Sequence, residues 1–366
     1  MRIQFLFLFW LIGFSIQSYS QSRDTSFHYI DLFEKDSSKN AGCFRIPSLV
    51  TAPNGNLIVA VDERVPSCGD LKWNKNINIV IRRSLDNGKT WLPMQTVVDY
   101  PLGQSASDPS MIVDNVTGEI FLFFNYMDLD KEKDIYYFRV TNSKDNGKSW
   151  SLPVDITSQI TAAGWKKDFK FITSGRGVQT SSGKLLHTIV NLQKGLFVFG
   201  SDDHGKNWFW IDNPIKPGDE SQIIESGNES WMINSRVNGA GMRFIHTTNN
   251  EGMSWNTYPD SALADPGCNA GLFRYAYTKE GLQKNVLIFS NTHSNNDRIN
   301  MTISVSEDDG KTWPIQKTIF AGSAAYSSLT RLSNGDIGLV FEKDDYGKIV
   351  FVQVPIAWLM QQNSVQ

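Results

Sequence analysis

Apolar and polar residues alternate with a period of two through most of the chain, the pattern of half-buried β-strands. The clearest runs are 77–82 (INIVIR), 134–140 (DIYYFRV), 196–200 (LFVFG) and 300–305 (NMTISV). An octapeptide follows each: Ser84-LDNGKT-Trp91, Ser143-KDNGKS-Trp150, Ser201-DDHGKN-Trp208 and Ser306-EDDGKT-Trp313, with a further copy at Thr248-NNEGMS-Trp255. Its residue types suit a tight hairpin turn. The Asp accepts backbone N–H bonds, the Gly supplies a positive φ, and the Trp covers one side. Asn250 replaces the Asp in the fourth copy, and Asn207 the Ser or Thr in the third. Starts lie 59, 58, 47 and 58 residues apart, a period that means stacked or radial units.

Ahead of these turns lies a second recurring hairpin, at 48–63, 110–124, 178–190, 221–235, 273–290 and 328–342. Five of the six are followed by an octapeptide hairpin; the sixth is followed only by KIVFVQV (348–354). Two hairpins per unit make one four-stranded antiparallel blade. The expected fold is therefore all-β, a six-bladed β-propeller, with a β-sandwich or a seven-bladed ring as the alternatives. A strand near 28–33 is expected to complete the sixth blade.

Length and composition agree with a repeat. At 366 residues a single core would ordinarily have split, and 40% hydrophobic with 20% charged residues is a globular balance. A net charge of -3 gives no reason to expect a nucleic-acid partner. Arg2, an apolar run over 5–16 and Ser18-Tyr19-Ser20 read as an export signal, and that run is too short to span a bilayer. The expected organisation is a signal peptide (1–20), an N-terminal segment (21–41), a propeller (42–357) and a tail (358–366). The chain is expected to be exported, monomeric and without a membrane span. Two of Cys43, Cys68 and Cys268 could pair, and spacing does not say which. The five scattered histidines offer no metal-ligand spacing. Asn115, Asn228 and Asn300 head N-x-S/T triplets.

Two motifs mislead. Gly-Lys-Thr or Gly-Lys-Ser in three octapeptides lacks the upstream Gly and following helix of a phosphate loop. Asp128-x-Asp130 lacks the Gly of a calcium loop.

In a propeller, chemistry gathers on the axis, at the ends of the inner strands. Those ends carry Arg45, Asp108, Arg176, Glu220 and Tyr326, with Arg64 and Asp70 after the first hairpin and Arg236, Arg298 and Glu342 near later ones. A single Arg is ordinarily a rim ion pair. Several from different blades, with carboxylates and a Tyr, suit capture of a carboxylate or phosphate.

Phe44-Arg45-Ile46-Pro47 resembles the F/Y-R-I-P motif of the exo-α-sialidase (neuraminidase) family, and the octapeptides resemble that family's Asp boxes. The likeness runs from about Cys43 to Val354. It implies that Arg45, Arg236 and Arg298 hold the carboxylate of sialic acid. Tyr326 is implied as nucleophile, with Glu220 as its proton acceptor (Glu225 being the lesser candidate) and Asp70 as acid/base. Arg64 and Asp108 resemble residues beside the 4-hydroxyl and N-acetyl groups, and Glu342 a carboxylate that buttresses Arg45. Arg176 is left to structure. Sialic acid carries its carboxylate on the anomeric carbon, so a neutral phenol meets less repulsion than a carboxylate would; sialidases depart from the two-carboxylate scheme in this way. The resemblance implies sialylated glycans as substrates and no cofactor or metal. Transfer to another glycan or to the sugar's own 7-hydroxyl, with Trp73 or Trp165 stacking an acceptor, is the alternative, as is a non-catalytic sialic-acid-binding propeller.

Overall fold

The computed structural model describes residues 27–35, 42–227, 230–279 and 282–361. The export signal, Asn228 and the last five positions lie outside the described residues, as do 21–26 and 36–41 of the N-terminal segment. The fold is all-β, 53% strand against 4% helix. Among the described residues no helix is long and apolar enough to cross a membrane.

Strand pairing forms five sheets, almost wholly antiparallel; the largest has seven strands and counts as two groups, a fifth and a sixth, on either side of a shared strand. The first holds Cys43–Thr51, Leu57–Arg64, Ile77–Ser84 and Gln95–Val98 in sequence order. The second holds Gln104–Val113, Ile120–Asp128, Tyr137–Ser143 and Val154–Asp155, with Gly175–Arg176 added in parallel beside its first strand. The third is built on Leu185–Asn191, Gly195–Ser201 and Phe209–Trp210, with the short Lys170–Ile172 and Val178–Gln179 against its inner edge. The fourth runs Ser221–Ser226, Ser230–Ser235, Met242–Thr248 and Asn256–Ala264.

The strand Ile315–Arg331 is shared by the last two groups. Its first half pairs with Ile299–Ser306, beyond which lie Leu282–Thr292 and Gly271–Lys279. Its second half pairs with Ile337–Lys343, followed by Lys348–Val354. The outer edge of that sixth sheet is covered by Tyr29–Glu34, antiparallel to Lys348–Val354. The Tyr29 hydroxyl donates to the Ile319 carbonyl at 2.6 Å.

The larger apolar clusters lie between neighbouring groups of strands. Phe123 and Phe138 of the second meet Phe197 and Phe199 of the third; Leu186 and Val198 of the third meet Ile223 and Ile233 of the fourth. Leu49 and Val59 of the first meet Val340 and Phe351 of the sixth. The core is thus a series of inter-sheet seams, not one centre.

The octapeptide turns are built alike. In the first, the Asp86 carboxylate accepts from the Thr90 N–H (2.8 Å) and hydroxyl (2.6 Å), while the Ser84 hydroxyl accepts from the Gly88 N–H (2.8 Å). These bonds from Thr90 and Ser84 hold Asp86 down at about 2. The glycine is needed twice over. Gly88 has φ +86°, and a Cβ there would come within 2.3 Å of the Phe351 ring on the sixth sheet. Gly205 stands in the same relation to Phe121 of the second.

Three details differ from expectation. The third strand of the second sheet begins at Tyr137, not 134, because Asp134 (φ 71°) lies in a turn closed by the Ile135 N–H on the Glu132 carbonyl. The boundary at 357 cuts a helical turn, Ile356–Leu359, whose Leu359 is buried and whose Trp358 meets Phe27 edge-on. Trp165 is buried against Phe197 and Trp210. The left-open cysteine question resolves as a Cys43–Cys68 disulfide with Cys268 buried and free.

Candidate active site

The inner strands of the first, second and sixth sheets share one irregularity. Pairing steps from Arg45–Asp62 to Ser48–Ala60, from Ser107–Asn125 to Ser110–Phe123, and from Ala324–Lys343 to Ser327–Phe341. In each case two residues oppose one, a β-bulge that re-aims a side chain. The bulged pairs are Ile46-Pro47, Asp108-Pro109 and Ala325-Tyr326. Ile46 (φ 62°) and Asp108 (φ 61°) are held in the left-handed region, costly for a β-branched residue above all. Buried carboxylates on neighbouring strands hold these bulges. Glu342 accepts from the Ile46 N–H (2.8 Å) and the Tyr326 N–H (3.2 Å); Asp62 accepts from the Asp108 N–H (2.9 Å).

The same two carboxylates hold arginines. Arg45 gives Nε–H to Glu342 Oε1 at 2.6 Å and reaches Oε2 through Nη2 at 3.4 Å. Arg64, fully buried, gives Nε and Nη2 to Asp62 Oδ2 (3.1 and 2.9 Å) and Nη1 to Asp70 Oδ1 (2.5 Å). Asp70 itself projects outward, with its side chain 77% exposed. It follows the Cys43–Cys68 bridge and opens a short helical turn, Leu71–Trp73.

Opposite lies Tyr326. Its hydroxyl donates to Glu220 Oε2 at 2.6 Å and accepts from Arg236 Nη1 at 2.9 Å, and that same Nη1 also reaches Glu220. The Arg298 and Arg45 guanidinium carbons lie 5.4 and 5.7 Å from the centre of the Tyr326 ring. Three guanidinium groups from the first, fourth and fifth sheets therefore surround one phenol. Burial, then the neighbouring Glu220 charge, pushes the phenol well above 10, against the pull of Arg236 and Arg298. Burial likewise raises Glu220 to about 7, with Arg236 opposing and Asp219 assisting.

Asp108 and Asp62 form a second pair raised by burial. Asp62 carries Arg64, the Ser107 hydroxyl (2.7 Å) and the Asp108 N–H, whereas the Asp108 carboxylate has only the Asn125 amide (3.0 Å). Asp62 is therefore the better supported of the two as a carboxylate, and burial beside it raises Asp108 to about 7.

Arg45, Asp70, Asp108, Glu220, Arg236, Arg298 and Tyr326 line one cavity of about 520 Å³. Arg64 and Glu342 stand behind its wall. Trp73, 70% exposed, with Tyr136 and Phe169 stacked at 4.9 Å, forms an apolar rim. Trp165 is not part of it. Glu225 is remote from this cluster, accepting from the Ser181 N–H and hydroxyl at 2.7 and 2.8 Å. Arg176 is spent on structure, donating to the Leu329 carbonyl at 2.9 Å. Among the described residues no group of three or more His, Cys, Asp or Glu converges as a metal site would.

Sequence reasoning passed over Asp62, Asp219 and Tyr346. Asp62 was visible only as a neighbour of Arg64; Asp219 accepts from the Asn238 amide, which in turn accepts from Arg236 Nε. No spacing rule marks them.

The BNR repeat-like domain matches residues 72–339, nearly three-quarters of the chain. The chain belongs to that family. Among curated relatives it is 33% identical over 347 residues to a sialidase of Micromonospora viridifaciens, covering 86% of this chain and 52% of that one. It is 29% identical to a sialidase of Bacteroides fragilis (83% and 60% covered). The chain thus spans little more than half the length of these two relatives. Among solved structures, the Hadza microbial sialidase Hz136 superposes with a TM-score of 0.81 at 28% identity, over 89% of this chain and 68% of that one.

Proposed function

We propose that this protein is an exo-α-sialidase that releases terminal α-linked sialic acid from glycans, with retention, through a covalent intermediate on Tyr326. The observation that carries the proposal is the Tyr326 hydroxyl lying between Glu220 and Arg236, with Arg45 and Arg298 beside the same ring. The curated sialidases at 33% and 29% identity support the same chemistry.

The residues divide the work. Arg45, Arg236 and Arg298 bind the substrate carboxylate and so orient the anomeric carbon over Tyr326. As the phenol oxygen bonds to that carbon, its proton passes to Glu220 and the glycosidic bond breaks. Asp70 protonates the departing oxygen. Water then gives a proton to Asp70 and attacks the same carbon; the phenolate leaves and recovers its proton from Glu220. Two displacements at one carbon give net retention. Glu220 near 7 suits a base that must both accept and return a proton near neutrality. Arg236 offsets the charge that develops on the phenol oxygen.

A closed six-bladed ring is the architecture that accounts for this convergence. Its support is the set of apolar seams, which run from sheet to sheet and join the sixth to the first. The Cys43–Cys68 bridge supports export to an oxidising compartment. Sialylated glycans are the partners of this site.

Product analysis by NMR with sialyl-lactose tests the reading. The α-anomer of free sialic acid should appear first, and Tyr326→Phe should lose at least a thousandfold in kcat while still binding the sugar. The β-anomer first, or wild-type turnover in that variant, sinks it. A 2,7-anhydro product or a new sialoside would instead assign transfer, for which the exposed Trp73, three residues after Asp70, offers an acceptor platform.

A further inference from the structure

The segment after the last inner hairpin carries an unusual backbone. Asp344, Asp345 and Tyr346 have φ of 54°, 51° and 66°, three successive non-glycine residues in the left-handed region. Such residues normally occur singly. The turn is fastened at its base. The Ser323 hydroxyl donates to Asp345 Oδ1 at 2.6 Å, the Asp344 N–H reaches the Ser323 carbonyl at 3.1 Å, and the Gly347 N–H reaches the Asp344 carbonyl at 2.9 Å.

What the strain positions is one side chain. The Tyr346 ring lies 4.1 Å from the Arg45 guanidinium carbon, and its hydroxyl accepts from Arg298 Nη1 at 2.9 Å. One phenol thus touches two of the three cavity arginines, which come from the first and fifth sheets. Each has its other fastening elsewhere: Arg45 on Glu342, Arg298 on the Gly267 carbonyl at 3.0 Å. Neither of those fastenings reaches the other arginine, whereas Tyr346 meets both, more closely than the Tyr326 ring at 5.7 and 5.4 Å. It also lines a second cavity of about 340 Å³, together with Arg298, Ala325 and Glu342, so it forms part of the wall behind the arginines.

We infer that Tyr346 is a positioning residue that sets the separation and tilt of Arg45 and Arg298, and thereby the preference of the site for a carboxylate. The inference rests on the sialoside reading above. Stacking restrains the plane of Arg45, while the hydroxyl takes one N–H of Arg298 and turns the remaining donors toward the cavity. Tyr346→Phe removes the second effect and keeps the first; Tyr346→Ala removes both.

Two probes read this directly: 2,3-didehydro-2-deoxy-N-acetylneuraminic acid and its C1 alcohol, which lacks the carboxylate. The ratio of their dissociation constants is independent of the fraction of protein that folds. Wild type should favour the acid strongly. In Tyr346→Phe that ratio should fall about tenfold, which is about 1.4 kcal/mol, and further in Tyr346→Ala, with the loss in kcat/KM appearing in KM and the Glu220 limb of the pH profile unmoved. An unchanged ratio, whether both ligands weaken together or neither does, overturns the positioning role. A wild type indifferent to the carboxylate would overturn the arginine assignment itself, a distinguishable failure.

Discussion

At the scale of single residues, the site keeps carboxyl groups where water would not. Glu220 is raised to about 7 by burial, and Asp108 is raised with it. A carboxyl whose folded pKa lies above its unfolded one binds more protons when folded between those values, so stability falls as pH rises through that window. For Glu220 the window runs from about 4.5 to about 7. Thermal unfolding should therefore show a higher melting temperature at pH 5 than at pH 8. Glu220→Gln should flatten the slope, stabilising the protein at pH 8 by up to about 3 kcal/mol while abolishing most turnover. In the wild type, kcat/KM should fall as pH drops through about 7, because protonated Glu220 cannot accept the phenol's proton. A melting temperature that rises from pH 5 to 8 and does so equally in the variant would contradict the assignment.

At the scale of elements, the octapeptide hairpin has two jobs, and only one is local. Its Ser, Asp and Thr close the turn within their own sheet, which sequence logic anticipates. Its glycine also lets the turn lie against the neighbouring sheet, which it does not. Gly88→Ala should therefore be costly: the residue at φ +86° is strained and its Cβ strikes the Phe351 ring. The expected loss is about 3 kcal/mol, read as a drop of several degrees in melting temperature with KM unchanged. The three bulges are the second device at this scale. Motifs such as Phe44-Arg45-Ile46-Pro47 mark where they occur, yet the reason, a buried carboxylate capturing the amide of the bulged residue, appears only in the pairing register. Asp62 and Glu342 each serve a bulge and an arginine, so replacing either would disturb backbone and charge together.

At the scale of the whole molecule, distant ends of the chain meet. Tyr29–Glu34 covers Lys348–Val354, and Phe27 packs on Trp358. Removing residues 27–34 should uncover the outer edge of the sixth sheet, lower the melting temperature by several degrees and promote association through that edge. Activity per folded molecule should change little, since Arg45, Glu342 and Tyr326 lie at the opposite, inner side of the sheets. Loss of activity without loss of stability would argue for a different role for this strand.

Much was legible beforehand because it is written in local chemistry. Period-two alternation, the octapeptides at near-constant spacing and the Phe-Arg-Ile-Pro motif determine an all-β repeat and nominate Arg45, Arg236, Arg298, Glu220 and Tyr326. What sequence could not supply depends on contacts between elements that only the folded chain brings together. The hold of Asp62 on Arg64 and on the Asp108 amide, the lodging of Trp165 in a core seam, the choice of Cys68 for Cys43, and the clamp of Tyr346 on two arginines follow from how the sheets pack. Strand periodicity determines which way a side chain points within its own sheet; only the packing of sheet against sheet decides what it finds there.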